Sequence, residues 1–322
     1  MTAKKFWGMK GLAATLSILA LMIWAVPAAA DDDLEETLEK MGSSYAQGYL
    51  APLISGFGIN QNSALYHTAH IPGTTLTISV GLKVMATKLT DSDKDFSVVE
   101  NITIDEDWGV DPGEYGYGET GQVVMSGPTV FGDEDASGFM RVYYHGIQVY
   151  EEALPDLGGF IDTDYVPLAM PQASLGGIMG LEATLRWLPE MTFSDMKVNL
   201  MGFGLAASAN YWIPTLPVDV KVGYFKQSLD VGEYIETEAA STYIAASKDF
   251  TTITVYGGLA KESSSMDVAY TSDDGDDIDF SLDGMQESRM TIGATLNMGL
   301  KINGEIGMGD LTTYSGGVII GF

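Results

Sequence analysis

Residues 314–322 read Tyr-Ser-Gly-Gly-Val-Ile-Ile-Gly-Phe. The side chains of this stretch alternate between an apolar phase and a phase of small or polar residues. The apolar phase holds Tyr314, Val318, Ile320 and Phe322. A strand with one apolar face and one small or polar face fits a wall between lipid and a lumen. The stretch therefore predicts a strand of a transmembrane β-barrel.

The aromatic residue at position 322 is a second indication of the same fold. A terminal aromatic in the apolar phase resembles the C-terminal signal by which bacterial outer-membrane barrels are recognised for assembly. We expect Tyr314, Val318, Ile320 and Phe322 to form this assembly signal, with the barrel-assembly machinery as a partner. The alternative is an edge strand of a soluble sheet, but soluble proteins usually blunt a flat apolar edge.

The first 30 residues have the parts of a secretory signal peptide. Three lysines lie among residues 1–10, an apolar stretch runs from Gly11 to Val26, and three alanines precede Asp31. A basic start, a short apolar stretch and small residues at the cleavage site are typical of such signals. The alternative is a membrane anchor, but the stretch is short for a span and acidic residues follow it. We expect Sec-type cleavage near Ala30 and localisation in the cell outer membrane.

The composition excludes several classes of protein. Removing the signal takes away three of the 16 Lys and Arg residues and none of the 44 Asp and Glu residues, which leaves a net charge of −31. So acidic a chain repels nucleic acid, and no nucleic-acid partner is expected. The chain has no cysteine, hence no disulfide and no lipoprotein anchor site. No apolar stretch after the signal reaches the roughly 20 residues of a membrane helix, so any span must be a closed barrel.

Alternation with a period of two recurs along most of the chain. Between residues 74 and 84, leucine, isoleucine and valine alternate with threonine, serine, glycine and lysine, over about the 9–11 residues of a tilted membrane strand. The pattern predicts ten strands, at residues 74–84, 96–104, 174–187, 196–211, 218–225, 239–247, 252–261, 289–298, 301–308 and 314–322. Residues 105–170 hold one or two further hairpins or an insertion into the lumen. We predict an all-β fold, a closed antiparallel transmembrane barrel of about 10–14 strands and an even number.

The predicted connections sort by length when the C-terminus is placed in the periplasm. The periplasmic turns are then residues 299–300, 248–251 and 211–217. The external loops are residues 310–313, 261–283, 229–238 and 189–195, and they include the longest and most acidic segment. Short inner turns and longer outer loops are typical of outer-membrane barrels, whereas a soluble sandwich has no reason to sort its loops in this way.

The segment between the signal and the first strand has a different pattern. Residues 34–50 carry apolar side chains at helical spacing, which predicts an amphipathic helix that Pro52 ends. Residues 54–70 are rich in Gly, Asn and Ser but contain apolar residues that need burial, which predicts ordered irregular structure. We expect residues 31–73 to form this helix and a plug or hatch inside a barrel of residues 74–322. Candidate plug residues are Tyr45, Phe57, Asn60, Asn62, Tyr66 and His67.

Several charged residues lie in the polar phase of the predicted strands. In a barrel this phase faces the lumen, where charges either line a water path or pair across a filled interior. The lumen-lining candidates are Lys83, Glu182, Arg186, Asp219, Lys221, Arg289 and Glu305. The sequence leaves both arrangements open.

Motifs for catalysis or metal binding are sparse. His67 and His70 would need an acid such as Glu35 to share a metal, and structural sites usually show a fuller ligand set. A weak calcium candidate is the loop with Asp273, Asp274, Asp276, Asp277 and Asp279, which lacks the spacing of known Ca²⁺ loops. No nucleophile turn and no phosphate-binding loop occurs in the sequence. We expect no enzyme activity, no cofactor and no resident metal.

Residues 44–69 read Ser-Tyr-Ala-Gln-Gly-Tyr-Leu-Ala-Pro-Leu-Ile-Ser-Gly-Phe-Gly-Ile-Asn-Gln-Asn-Ser-Ala-Leu-Tyr-His-Thr-Ala. This stretch resembles the N-terminal motif of an uncharacterised bacterial family of signal-bearing, outer-membrane-barrel-like proteins, and residues 127–132 and 186–189 resemble further pieces of it. The resemblance implies a barrel fold and an envelope location, and it carries no information about activity. More loosely, the helix with Asn-Ser-Ala-Leu-Tyr is similar to the hatch of long-chain fatty-acid transporter barrels. Those hatches usually continue Asn-Pro-Ala, whereas His-Thr-Ala follows Tyr66 here.

Two functions remain in competition at this level. The first is a restricted, porin-like channel or transporter for small solutes, hydrophobic ones included, with outer-membrane lipid and a small apolar ligand as partners. The second is a non-transporting anchor or surface-interaction barrel that acts through its acidic external loops. A secreted soluble sandwich is disfavoured by the terminal aromatic and by the small, polar residues opposite each apolar face. No motif names a solute.

Overall fold

The computed structural model describes residues 43–154, 159, 163–193, 196–231, 235–271 and 277–321. The predicted signal peptide, residues 31–42 of the predicted helix and plug, and Phe322 lie outside these residues.

Ten antiparallel strands close into a barrel. In ring order they are β1 (Thr77–Lys88), β6 (Tyr165–Ile178), β7 (Leu181–Phe193), β8 (Met196–Ser208), β9 (Asp219–Val231), β10 (Ile235–Phe250), β11 (Ile253–Thr271), β13 (Ser288–Met298), β14 (Leu300–Met308) and β15 (Thr312–Gly321). The ring is complete because β1 pairs with β15 and β10 pairs with β11. An extra strand, β12 (Asp277–Asp283), pairs with the far end of β11. The closed, even-numbered antiparallel barrel predicted from the sequence is confirmed.

The barrel has two ends, which we define by the start and the end of β1. Ser79 at the start of β1 pairs with Gly321 at the end of β15, and we call this end the inner end. Lys88 at the end of β1 lies at the opposite, outer end, where it pairs with Thr312. The inner end corresponds to the side that the sequence placed in the periplasm.

Period-two alternation produces a wall with opposite faces. The outward face is apolar and exposed; Val80 of β1 is 52% exposed, Leu205 of β8 57% and Ile292 of β13 54%. The inward face carries buried polar residues, among them Lys83 and Thr295. An apolar outer band around a polar interior is the architecture of outer-membrane β-barrels, because lipid replaces water outside. Among the described residues no helix is both long and apolar enough to cross a membrane.

A second sheet covers the outer end. Its four strands are β2 (Asp95–Thr103), β3 (Thr120–Pro128), β4 (Gly138–Tyr144) and β5 (Ile147–Leu154), paired in that order. We call it the cap sheet; it is inserted between the outer ends of β1 and β6. The prediction that residues 96–104 form a barrel strand is wrong. The cap sheet is half-buried on one face, so its alternation is the same as that of a barrel wall.

Other predicted elements also differ from the structure, and the external loops predicted at 189–195 and 229–238 are largely strand. The predicted strand at 174–187 is a hairpin, because Met179 and Gly180 both have positive φ and form a two-residue turn between β6 and β7. The predicted number of ten barrel strands is still correct, because the region predicted as one strand contributes two, whereas residues 96–104 belong to the cap sheet. Much of the predicted external loop at 261–283 is also strand: β11 runs on to Thr271 and β12 pairs with it.

Helix α1 (Ser43–Gln61) connects the cap sheet to the lumen. At its start, Tyr45 lies edge-to-face against Phe96 of the cap sheet, with ring centroids 4.6 Å apart. At its end, Asn60 bonds Thr87 of β1 inside the barrel. The helix continues through Pro52, so the prediction that Pro52 ends it is wrong. Burial in the cap and lumen outweighs the loss of one helical hydrogen bond.

Three glycines let α1 approach its neighbours closely. A Cβ added at Gly48 would overlap the ring of Phe96, one at Gly56 would overlap Val166, and one at Gly58 would overlap Ser264. The helix is therefore fitted into the barrel by the absence of side chains at these positions.

Gly56→Ala reverses the usual effect of this substitution. Alanine in a helix is normally more stable than glycine by about 1 kcal/mol. Here the new methyl group overlaps the side chain of Val166, and we expect a net loss of about 1 to 2 kcal/mol of unfolding free energy from overpacking. Urea unfolding read by heat-shifted gel migration measures it. Ala51→Gly, on the exposed side of α1, is the control and should cost about 1 kcal/mol by propensity alone.

Candidate functional site in the barrel lumen

The lumen is occupied by the chain that follows α1. We call residues Asn62–Ile71 the plug segment. It leaves the end of α1 inside the barrel and reaches the inner end, where the carbonyl of Gly73 accepts a bond from the amide of Met179 at 3.0 Å. From there the chain enters β1. The plug segment thus runs along the lumen between α1 and the inner mouth.

Arg186 of β7 is the most completely buried charge that holds the plug. Its Nη1 donates to the carbonyl of Gln61 at 2.8 Å and its Nη2 to the carbonyl of Ser63 at 2.7 Å. Its Nε donates to Gln172 of the neighbouring strand at 2.9 Å. The side chain is fully buried and lies over the ring of Phe225, with its Cζ 5.1 Å from the ring centroid. Its hydrogen bonds go to neutral oxygens, so this cation is stabilised mainly by backbone carbonyls of the plug region.

Arg289 of β13 binds the same region from the opposite side of the barrel. Its Nη2 donates to the carbonyl of Ile59 at 2.7 Å and to Glu262 of β11 at 2.8 Å, and its Nη1 donates to Ser63 Oγ. Glu262 is in turn bonded by Gln286 at 2.9 Å. Both members of the ion pair are buried. The carboxylate of Glu262 compensates the positive charge of Arg289. Two further donors of Arg289 bond the end of α1 and the start of the plug segment.

Glu305 of β14 holds the plug by accepting from its backbone. Its Oε1 accepts from the amide of Ala64 at 2.9 Å, and its Oε2 accepts from the hydroxyl of Tyr256 at 2.9 Å. Nearby, Lys83 donates to Asn303 at 3.0 Å. Wall groups of both charges therefore face the middle of the plug segment.

The inner half of the plug is held by short polar side chains. The hydroxyl of Ser247 accepts from the amide of Ala69 at 2.9 Å and lies 3.2 Å from the hydroxyl of Thr68. Thr295 donates to the carbonyl of His67 at 2.7 Å. Two further contacts close the inner end: Lys221 pairs with Glu182 at 3.0 Å, and His70 lies 3.1 Å from Asp219.

Apolar contacts divide the lumen into two parts. On the β9–β11 side, the ring of Tyr66 packs against Tyr243 and Tyr256, with centroids 5.0 and 5.8 Å away. On the β6–β9 side, nearer the outer end, a group that we call the apolar cluster surrounds Phe57 of α1. The cluster consists of Ala64, Met85, Ala169, Met170, Leu188, Leu200 and Leu229, with Leu82, Val84, Leu168, Met191 and Val198 at its edge.

The plug crosses the full width of the lumen. It is bonded to β7 on one side and to β13 and β14 on the other, which are far apart in the ring. A cavity between Tyr66, Ser241 and Glu262 has about 10 Å³ of space for the centre of a water-sized sphere, room for about one water molecule. A solute larger than water would have to displace the plug to pass here.

The residues proposed from the sequence as lumen-lining all face the interior. Lys83, Arg186, Lys221 and Arg289 are buried, and Glu182, Asp219 and Glu305 accept bonds from lumen or plug groups. Of the two arrangements left open, the structure shows the filled interior: Lys221 and Arg289 form ion pairs there, whereas Lys83 and Arg186 bond neutral oxygens.

The candidate plug residues separate into two groups. Asn60 and Asn62 bond the wall, through Val166 and Ser263 respectively, and Tyr66 and Phe57 pack inside the lumen as described. His67 contributes its backbone carbonyl. Tyr45 instead lies in the cap, where burial raises its pKa to about 12 and keeps the phenol neutral.

Sequence reasoning missed several wall residues that hold the plug. Glu262, Gln172, Ser247, Tyr256 and Asn303 are buried and bonded to the plug or to the residues that bind it. These residues could have been predicted from their position in the inward-facing phase of the strands. Glu262 was not predicted because residues 261–283 have the composition of an external loop.

The metal and assembly candidates have separate outcomes. Asp277 and Asp279 of the calcium candidate lie in β12, and the other three aspartates lie outside the described residues. Within the described ranges no three His, Asp or Glu side chains come together as a metal site. Tyr314, Val318 and Ile320 project outward from β15 and are 44 to 49% exposed.

A family model described as "Family of unknown function (DUF6588)" matches residues 9–322. The chain belongs to this family. The match covers almost the whole sequence and confirms the resemblance to an uncharacterised family. The DUF6588 chain has no match among the curated proteins.

Solved structures similar to this DUF6588 protein include outer-membrane barrels. A loop-deletion mutant of OmpT, an outer membrane protein of Vibrio cholerae, is 13% identical over 77% of this chain and 99% of its own, with a TM-score of 0.26. The Ralstonia pickettii toluene transporter TbuX is 10% identical over 77% and 89%, with a TM-score of 0.22. The translocator domain of the autotransporter NalP from Neisseria meningitidis is 11% identical over 86% and 94%, with a TM-score of 0.23.

Proposed function

We propose that this protein is an outer-membrane channel or transporter whose plug segment controls the passage of small, apolar solutes. The observation that carries the proposal is how the plug is held. Wall side chains from β7, β10, β13 and β14 bind it largely through its backbone amides and carbonyls. Water makes the same bonds, so the plug can leave its position at a modest net cost per hydrogen bond.

The apolar cluster supports the choice of solute class. It lies inside the barrel, yet it consists of leucine, methionine and alanine side chains around Phe57. Methionine is flexible and adapts to apolar partners of different shape. A solute that replaces Phe57 would therefore find an apolar, adaptable surface, while the polar half of the lumen would reject it.

The remaining expectations belong to the same proposal. The protein would lie in the outer membrane after removal of its signal peptide, inserted by the barrel-assembly machinery, and would catalyse no reaction. The outward apolar band of the wall supports the membrane location.

A reversible lock on the plug tests this function. In Thr68→Cys/Ser247→Cys the two cysteines replace hydroxyls 3.2 Å apart on the plug and on β10. The natural chain has no cysteine, so the engineered disulfide is the only one. Uptake of the fluorescent dye N-phenyl-1-naphthylamine by cells with an intact outer membrane should fall to the level of cells without the protein, and should recover on reduction.

Ser174→Cys/Thr184→Cys is the matched control. Its cysteines replace hydroxyls 2.9 Å apart on β6 and β7, so the disulfide joins wall to wall and leaves the plug free. Dye uptake should be unchanged in this variant. Cells that express the wild-type protein or either locked variant could all take up dye at the rate of cells without the protein. In that case the channel proposal is wrong and the anchor function is favoured.

A further inference from the structure

The hydrogen-bonded ladder between β6 and β7 ends part-way along the wall. The two strands pair from the inner turn as far as Gln172 opposite Arg186. Beyond that pair, β6 continues to Tyr165 and β7 continues to Phe193, and these described outer halves are not paired with each other. Each half is paired on its other side, β6 with β1 and β7 with β8. The wall therefore has an unpaired seam towards the outer end.

Prolines explain where the ladder stops. Pro167 and Pro171 lie on the β6 side of the seam and Pro189 on the β7 side. Pro171 is paired with Leu82 of β1, and proline has no N–H, so its nitrogen must point away from β1 and towards β7. Pro167, four residues away in the same phase, points the same way. The positions that would bond β7 cannot donate.

The seam edge of β6 has few unsatisfied donors. By the alternation of an antiparallel strand, Tyr165, Pro167, Ala169 and Pro171 direct their backbone groups to the seam. The two prolines have no donor, and the amide of Tyr165 is bonded by Thr163 Oγ1 at 3.2 Å. One amide, that of Ala169, is left for the seam. Natural proteins build strand edges in this way when the edge is meant to stay unpaired.

Both sides of the wall are apolar at the seam. On the outward face the seam is flanked by Pro171 of β6 and by Trp187 of β7, which is 57% exposed, while Ala169 of β6 is buried. On the inward face it is flanked by Met170 and Leu188, both buried members of the apolar cluster. Elsewhere in a membrane barrel an open strand edge would be excluded from lipid, unless it lines a cavity or path.

We propose that this seam is a lateral opening in the wall, through which an apolar solute moves between the apolar cluster and the outer leaflet of the membrane. The inference rests on the proposed function, because it names the route for the same solute class. It assigns Pro167, Pro171 and Pro189 the role of keeping the two strand edges apart.

A disulfide across the seam tests the route. Pro171→Cys/Trp187→Cys places cysteines at the first pair of positions beyond Gln172 and Arg186, both on the outward face. The matched control is Ala173→Cys/Leu185→Cys, one outward pair nearer the inner end, where the strands are already paired. N-phenyl-1-naphthylamine uptake by cells expressing each variant is measured before and after reduction. Mass spectrometry of the extracted barrel confirms each cross-link.

The lateral route predicts that the seam cross-link between positions 171 and 187 abolishes the protein-dependent uptake and that reduction restores it, with no effect of the control cross-link. Uptake that is insensitive to the seam cross-link but is stopped by the plug lock would overturn the lateral route and keep the channel. Uptake that neither lock affects would overturn both proposals. Each variant is measured before and after reduction, so the reduced protein serves as the control for the cross-linked one. A variant that is misfolded shows low uptake that does not recover on reduction.

A second variant tests the prolines without a cross-link. Pro167→Val/Pro171→Val/Pro189→Val restores a backbone N–H at each of the three positions, two of which face the seam, and Pro112→Val/Pro214→Val changes two exposed prolines elsewhere. Hydrogen exchange of the Ala169 amide, which faces the seam, should slow in the first variant and dye uptake should fall. Slow exchange of the Ala169 amide already in the wild-type protein, at the rate of the Ala173 amide in the paired part of the ladder, would show a closed seam and contradict the proposal.

Discussion

Replacing Arg186 with methionine should open the barrel lumen. The substitution removes the donors that hold the carbonyls of Gln61 and Ser63, at 2.8 and 2.7 Å, and leaves both oxygens buried without these partners. An unsatisfied buried polar group costs about 1 to 3 kcal/mol, so we expect a loss of about 2 to 4 kcal/mol of unfolding free energy. Methionine keeps the length of the chain but not its hydrogen bonds.

The same substitution should change conductance. With the plug less strongly bound, its displaced state is more populated, and planar-bilayer recordings of Arg186→Met should show openings that are rare in the wild-type protein. Arg141→Met is the control, because Arg141 pairs with Glu151 on the surface of the cap sheet and should cost about 0 to 1 kcal/mol. Equal stability and equal conductance of the two variants would contradict the role given to Arg186.

Breaking the Arg289–Glu262 pair should have the largest effect on stability. Both side chains are buried, and loss of one partner leaves the other as an uncompensated charge. Glu262→Met should therefore destabilise the barrel by about 3 to 5 kcal/mol. The double variant Arg289→Met/Glu262→Met removes both charges and should be less destabilised than the sum of the single variants. Urea unfolding of the four proteins as a double-mutant cycle measures the coupling.

The two single variants of this pair should differ in their effect on the plug. Arg289→Met also removes the donors to the carbonyl of Ile59 and to Ser63, whereas Glu262→Met leaves those donors in place. We expect dye uptake to rise in Arg289→Met more than in Glu262→Met, although both are destabilised. Additive unfolding free energies in the cycle, or equal uptake by the two single variants, would argue against an ion pair that holds the plug.

The barrel could be predicted from the sequence because one rule governs most of its residues. Lipid outside and polar contacts inside force alternation, and Lys83, Arg186 and Glu305 stood out because charges occupied the inward phase. The rule fails wherever another environment has the same two faces. Residues 95–103 alternate because the cap sheet has one face on α1 and one in water.

The contacts that hold the plug were beyond the sequence for a different reason. Arg186 and Arg289 meet Ser63 from opposite sides of the ring, more than 120 residues away along the chain in each case. Such pairings follow from barrel closure and register, not from any local pattern. The prediction that Pro52 ends the helix failed because of tertiary contacts too. Burial of α1 on both sides of Pro52 outweighs the local helix-ending signal.

The measurement that tests the plugged barrel most directly combines Arg186→Met with Thr68→Cys/Ser247→Cys in one chain. Planar-bilayer conductance is recorded with the disulfide formed and again after reduction in the same membrane. We predict a silent protein when the plug is tied to β10 and openings once the disulfide is reduced. Conductance that is the same in both states would contradict a barrel controlled by its plug segment.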